Sequence, residues 1–263
     1  MGKITDALKK AAQDRLDHLE KLEHRSEVKY EFIAHKTIDS KVDPRIIPFY
    51  DPESPVTEQY RTLRTNILAL NTEKPLKVIT ISSSTHSEGK TITSINLAVS
   101  MAHDMDKKSI LLIDADMRRA RINSYLGVKP EAGLSDVLNN EAKIEDVLIS
   151  IEGINNLTIL PAGKRTKNPA ELLASLNMKK LLNLLKGKYD YVVFDTPPII
   201  PVTDACILGP QTDGVIMIIQ AGKTQKGVVQ HSQHLLKQSH SKLLGCILTN
   251  IQYHIPAYIY RYL

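Results

Sequence analysis

Residues 84–91 read Ser84-Thr85-His86-Ser87-Glu88-Gly89-Lys90-Thr91, so a glycine, a lysine and a hydroxyl stand in consecutive positions. The apolar run Val78-Ile79-Thr80-Ile81 precedes them, and a helix-like stretch from Ile92 to Ala102 follows. Strand, loop and helix in that order are the context of a phosphate-binding loop, because loop N–H groups and the positive helix end then face the anion. Ser87, Glu88, Gly89 and Ile92 would close around a nucleotide's phosphates. Lys90 would reach the outer ones, and the Thr91 hydroxyl would ligate Mg²⁺. Two further β-like runs end in carboxylates: Ile110–Asp114, followed by Asp116 and Arg118, and Tyr191–Asp195, followed by Thr196-Pro197-Pro198. Asp114, Asp116 and Asp195 supply the hard oxygen ligands that Mg²⁺ prefers, often through water. The combination describes a nucleoside triphosphate site.

The loop departs from the usual G-x-x-x-x-G-K-[ST] pattern. Ser84 replaces its first glycine, and Ser87 stands where a second is common. Gly89 is kept, as close approach of backbone to phosphate requires. Taken alone the loop could be an ordinary glycine turn; the two Asp-terminated strands downstream decide for nucleotide binding. His86 reads either as a phosphate contact or as a solvated loop residue.

Positioning such a site takes a sheet, and the chain is long enough to build one. Its 263 residues, 42% hydrophobic, suit one large α/β domain with a short appendage. Cys206 and Cys246 lack C-x-x-C spacing and read as small core residues. No run approaches the ~18–20 apolar residues of a membrane span, and Met1-Gly2-Lys3-Ile4 opens no signal-peptide core. A soluble chain is therefore expected. Lys and Arg number 34 against 29 acids, a net charge of +5, too small an excess to argue for nucleic acid.

Three regions follow from the patterning: residues 1–50, 51–250 and 251–263. In the first, Ile4, Leu8, Ala12, Leu16, Leu19 and Leu22 recur at helical spacing opposite a face of mixed charge. Pro44, Pro48, Pro52 and Pro55 then suggest an extended linker. In the second, a helix starts at Thr57 and carries Glu58, Arg61 and Arg64 over neighbouring parts of its surface. Strands are expected at 77–82, 109–114, 157–161, 190–195, 213–220 and 243–249, and helices near Gly133–Leu148 and from Asn168. Near-continuous Val, Ile and Leu in the strands means burial on both faces. The fold class is thus α/β: a doubly wound, mostly parallel sheet flanked by helices, with a helical amino-terminal arm and ligands at the strands' carboxyl ends.

At these motifs the chain resembles the bacterial tyrosine kinases of polysaccharide biosynthesis, which use a P-loop fold. The likeness runs over residues 52 to 263 and rests on Gly89-Lys90-Thr91, Asp114-x-Asp116-x-Arg118 and Asp195-x-Pro197-Pro198. It implies an ATP- and Mg²⁺-dependent protein-tyrosine autokinase that controls capsule or exopolysaccharide synthesis and export. Lys90 would hold ATP phosphates, and Thr91, Asp114, Asp116 and Asp195 would orient Mg²⁺. Asp114 is the better candidate to accept the tyrosine proton. Arg118 would clamp a phosphate or pair with a carboxylate, and Asn250 would contact adenine or simply turn the chain. Glu58, Arg61 and Arg64 match a subunit-contact motif, implying a ring-like homo-oligomer. A transmembrane polysaccharide co-polymerase or adaptor is implied, which would recruit a cytoplasmic protein to the inner face of the membrane. The resemblance also admits a cognate protein-tyrosine phosphatase.

Tyr253, Tyr258, Tyr260 and Tyr262 fall in the last eleven residues, out of ten tyrosines in the chain. By the resemblance they accept phosphate from a neighbouring subunit. Alternate spacing would equally suit one face of an edge strand; Pro256 favours the acceptor tail. Two other classes compete. One is a partition- or division-type switch ATPase, which typically carries a lysine where Thr85 stands. The other is a nucleotide-binding regulator of a membrane polysaccharide assembly that phosphorylates nothing.

Overall fold

The computed structural model describes residues 36–38, 41–70, 76–104 and 108–251. Residues 1–35 and 39–40 of the arm expected over 1–50, and the four tail tyrosines, lie outside them. In chain order the elements are β1 (Lys36–Ile38), α1 (Ile47–Tyr50), α2 (Pro55–Ala69), β2 (Val78–Ser83), α3 (Lys90–Asp104) and β3 (Ile110–Asp114). Three short helices follow, α4 (Ile122–Tyr125), α5 (Leu134–Leu138) and α6 (Ile144–Val147). Then come β4 (Ile149–Ile151), β5 (Leu157–Leu160), α7 (Pro169–Ala174), α8 (Leu176–Lys188) and β6 (Tyr191–Asp195). The chain continues through α9 (Asp204–Leu208), a 3₁₀ turn at Gly209–Gln211, β7 (Gly214–Gln220), α10 (Lys226–Gln238) and β8 (Leu243–Thr249).

The eight strands form one sheet in the order β1-β4-β5-β3-β6-β2-β7-β8. Every neighbouring pair is parallel except β4 and β5. The six expected strands are all present, within a residue of their expected ends. β1 and β4 were not expected; each is three residues long, too short for periodicity to register, and β4 begins directly after the segment expected to be helical to Leu148.

Alternation along the central strands divides the core in two. Ile79 and Ile81 of β2 and Ile216 and Ile218 of β7 enter one apolar cluster with Ile95, Val99 and Met101 of α3. Val215 and Met217 of β7 enter the other, with Ala205 of α9 and Leu236 of α10. Helices therefore cover both sheet faces, which is why central strands can be apolar throughout.

Where the prolines suggest an extended linker, the chain is packed instead. Val42 and Ile46 are fully buried in the larger cluster, with Phe49 against it. Asp43 N–H donates to the Tyr125 carbonyl at 2.7 Å, and Asn96 Nδ2 donates to the Arg45 carbonyl at 3.1 Å. Pro48 and Pro55 sit in the first turns of α1 and α2, where a missing N–H costs nothing. Proline density marked helix starts rather than an unpacked spacer. Ser54 caps α2, its hydroxyl accepting from Thr57 N–H at 3.1 Å.

Candidate active site

β3, β6 and β2 lie side by side and end at the same edge; Asp114 and Asp195 finish level with Ile81, and β2 runs two residues further, to Ser83. The loop from Ser84 then turns into α3. Ser87 (φ +63°) and Gly89 (φ +93°) take left-handed backbone there. A Cβ on Gly89 would meet the Thr249 methyl at 3.4 Å, an ordinary contact, so it is the backbone conformation that asks for glycine. Glu88 braces the loop from beneath. Its carboxylate accepts from Thr85 N–H at 2.8 Å and from the Thr224 hydroxyl, while its carbonyl accepts from the Thr249 hydroxyl at 2.7 Å. The other side of β2 is tied to the Pro-Pro loop: Ser82 Oγ donates to the Pro197 carbonyl and Ile199 N–H to the Ser83 carbonyl, each at 2.8 Å.

Lys90 Nζ lies 3.2 Å from Asp116 Oδ2 and 3.5 Å from Asp195 Oδ2. Thr91 Oγ1 donates to Asp195 Oδ2 at 2.7 Å, and Ser94, one helical turn on, donates to Asp195 Oδ1 at 3.2 Å. Burial lowers the proton affinity of Lys90, but Asp195 and Asp116 outweigh it and raise it above the ordinary lysine value, so the ammonium persists. Asp114 is wholly buried. Its oxygens accept from the Asp116 and Ile122 N–H groups at 3.1 Å each. Desolvation, with the Asp195 charge added to it, pushes its carboxyl well above the ordinary range. Desolvation raises Asp195 too, against the pull of Lys90.

This cluster opens into a cavity of about 250 Å³ lined by His86, Ser87, Gly89, Lys90, Thr91 and Ile92 of the loop and α3 and by Asp116. Arg45, Arg119, Arg121 and Tyr125 complete the lining. Asp114, Asp195 and Asn250 are not among its lining residues. Arg118, left open between phosphate and carboxylate, pairs with a carboxylate: Nε and NH2 donate to the two Asp204 oxygens at 3.0 and 2.9 Å. Asn250 is exposed just past β8 with φ +53°, a conformation asparagine tolerates. Glu58 and Arg61 pair with each other at 3.2 Å, and Arg64 donates to the Ser100 carbonyl at 3.3 Å.

The oxygen donors fit Mg²⁺. Among the described residues no group of three or more His, Cys, Asp or Glu could encage a metal ion. Mg²⁺ needs no such cage, since it keeps several waters and takes one or two carboxylates plus substrate phosphates. Thr91, Asp116 and Asp195 supply oxygens of that kind around a point that already attracts a cation, the Lys90 ammonium.

Sequence reasoning missed Arg45, Arg119, Arg121, Tyr125, Ser94 and Asp204. Arg119 and Arg121 were visible beside Arg118, and Ser94 follows Thr91 by three residues on one helix. Nothing local marked Arg45 or Asp204, which arrive from distant parts of the chain.

A parallel sheet with a lysine-bearing loop at its central strand and two carboxylate strands beside it is a P-loop nucleotide-binding domain. Comparison with known proteins agrees: the AAA domain family model matches residues 76–243. The chain is 38% identical over 213 residues to tyrosine-protein kinase YwqD of Bacillus subtilis, covering 81% of this chain and 89% of that one. It is 34% identical over 215 residues to the putative tyrosine-protein kinase CapB of Staphylococcus aureus, covering 81% and 93%. Among solved structures, the chimerical protein CapA2B2 superposes with a TM-score of 0.76 at 29% identity, over 84% of this chain and 96% of that one. The kinase domain of Escherichia coli tyrosine kinase ETK gives 0.74 at 26%, over 84% and 86%. The chain belongs to the bacterial tyrosine-protein kinase family.

Proposed function

We propose that this chain is an ATP- and Mg²⁺-dependent protein-tyrosine autokinase whose acceptors are Tyr253, Tyr258, Tyr260 and Tyr262 of a neighbouring subunit. The observation that carries the reading is the joined set Lys90, Thr91, Asp116 and Asp195, with Lys90, Thr91 and Asp116 lining a cavity of about 250 Å³. Phosphoryl transfer needs positioning and charge neutralisation more than covalent help. Lys90 and the loop N–H groups of Ser87, Glu88, Gly89, Thr91 and Ile92 hold the phosphates. Mg²⁺, when bound through Thr91 and the carboxylates, neutralises phosphate charge. Asn250 serves the adenine, which the contact of its neighbour Thr249 with the loop supports.

The incoming hydroxyl must lose a proton. Asp114, by its place in the motif Asp114-x-Asp116-x-Arg118, is assigned as the acceptor. Asp116 is the rival, because it lines the cavity and Asp114 does not. Asp114→Asn and Asp116→Asn separate them: the acceptor's variant loses transfer while still binding ATP, and the other's loses nucleotide affinity as well.

In the cell, Glu58, Arg61 and Arg64 join subunits in a ring, and phosphorylated tails leave it through charge repulsion. A transmembrane adaptor brings the assembly to the inner membrane face, where it controls capsule or exopolysaccharide production. No helix among the described residues is long and apolar enough to cross a membrane, which is consistent with a separate anchor. The test is peptide mass spectrometry after incubation with ATP and Mg²⁺, beside Lys90→Met. Phosphate on Tyr253–Tyr262 only with Lys90 intact is the expected result. ATP hydrolysis with no tyrosine gaining mass, adaptor present, would replace this reading with a switch ATPase.

A further inference from the structure

The charge of this chain is unevenly spread. Asp213 is its last acid, and residues 214–263 hold Lys223, Lys226, Lys237, Lys242 and Arg261. Setting these five aside leaves 29 Lys and Arg against 29 acids, so the whole net charge of +5 stands on that stretch. Its regular elements are β7, α10 and β8, and β8 is an edge strand of the sheet.

α10 has two distinct faces. Ser232 and Leu236 are buried, and Val229 and Leu235 pack with Leu236 in the smaller apolar cluster. Lys226, Gln230, His234 and Lys237 are exposed. Lys226, Gln230, Gln233 and Lys237 recur at helical spacing and form one stripe. That stripe borders the sheet edge, because Gln233 hydrogen-bonds Cys246 of β8. Leu248, two residues beyond Cys246 and so on the same face, is 55% exposed, and Ile251 just past the strand is 47% exposed. None of Lys223, Lys226, Lys237 and Lys242 has a side-chain hydrogen bond or ion pair among the described residues. The other lysine-rich helix, α8, differs, since its Lys186 is paired with Asp213 at 3.6 Å.

We propose that the α10–β8 edge docks on an anionic lipid bilayer, with Lys226 and Lys237 at the headgroups and Leu248 and Ile251 in the interface. A face of one sign complements a uniformly negative leaflet, which attracts each lysine brought near it. Aliphatic side chains beside those lysines enter the boundary between headgroups and acyl chains. A nucleic acid would engage the lysines through its phosphates and leave Leu248 and Ile251 in water. The inference deepens the reading that puts the assembly at the inner membrane face, by adding a direct lipid contact to the adaptor.

The test is flotation of the full chain, without nucleotide, at about 0.15 M salt. Vesicles of phosphatidylcholine alone are compared with vesicles of equal parts phosphatidylcholine and phosphatidylglycerol. Binding to the anionic vesicles only is expected. Lys226→Gln/Lys237→Gln should weaken it roughly thirtyfold, as two lysines near a charged leaflet are worth. Leu248→Ser/Ile251→Ser should weaken it severalfold. Lys143→Gln/Lys167→Gln, which takes the same charge from exposed sites near Glu141, Glu145 and Glu171, should leave it unchanged. All these side chains are exposed, so thermal melts of the variants should match the parent. Absence of binding, or equal binding to both kinds of vesicle, overturns the proposal. So does a loss as large in Lys143→Gln/Lys167→Gln, which would reduce the effect to net charge. Full binding by Leu248→Ser/Ile251→Ser, or displacement from vesicles by duplex DNA or polyglutamate, points to another anion and overturns it too. Tail phosphorylation is measured separately, so either reading can fail while the other stands.

Discussion

At the residue scale, much of the site is held by single side chains that never meet substrate. Arg118 carries the family motif yet is spent on Asp204, a wholly buried carboxylate at the start of α9. It thereby ties the loop after β3 to the one after β6. Arg118→Ala leaves Asp204 without its partner and should cost about 2 kcal/mol, allowing for the partial exposure of Arg118. A lower urea midpoint with an unchanged m-value checks this. Gly89→Ala is more severe for function than for folding. Its φ of +93° strains any side chain, by about 1–2 kcal/mol. Loss of ATP binding, measured by calorimetry, should accompany only a modest fall in melting temperature.

At the element scale, the loops at the sheet edge are organised by buried acceptors. Asp136 of α5 is the clearest case. Its Oδ2 accepts from Gly133 N–H at 2.8 Å and Lys164 N–H at 3.1 Å, joining the start of α5 to the loop after β5. A Cβ on Gly133 would lie 2.2 Å from the Pro161 carbonyl oxygen, so those loops meet closely. Asp136→Ala strands both N–H groups and should cost about 2–3 kcal/mol. Hydrogen exchange at Gly133 and Lys164 should quicken well before the central strands do.

At the scale of the whole molecule, the carboxylates pull stability in opposite directions with pH. Asp43 is lowered to about 2, chiefly by hydrogen bonds from Arg45. Burial would raise Asp136 and Asp190, but N–H donors of Lys164 and Gly133, and of Ser109, outweigh it and lower both. Lowered groups stabilise the fold above their unfolded values, about 3.9, and lose that contribution as pH falls through the folded ones. Asp114 is raised, so its contribution is present at low pH and lost as pH rises through its folded value. Nucleotide-free protein in chelator should therefore be most stable at mildly acidic pH, with a decline below about 4. Thermal melts across pH 3–8 test this, and Asp114→Asn should flatten the upper limb. A stability that only rises toward pH 8 would contradict the assignment.

The sequence by itself determined the sheet and the chemistry at its edge. Strands such as Val78–Ser83 and Ile110–Asp114 are apolar throughout because both faces are covered, and that continuity shows in one dimension. Gly89, Lys90 and Thr91 are adjacent in the chain, and Asp114 and Asp195 announce themselves by ending such runs. What tertiary structure alone decided is everything that depends on residues far apart in sequence. Strand order brings β3 and β6 to one side of β2; only then do Asp116 and Asp195 meet Lys90. Packing of Val42 and Ile46 against the core carries Arg45 to the cavity, although prolines around it suggested a spacer. Asp204 becomes the partner of Arg118 across 86 positions. Local composition encodes which segments are buried and which backbone can turn, because those are set by neighbours in the chain. It does not encode which distant charge will fill a buried vacancy, because that is settled only when the sheet closes the distance.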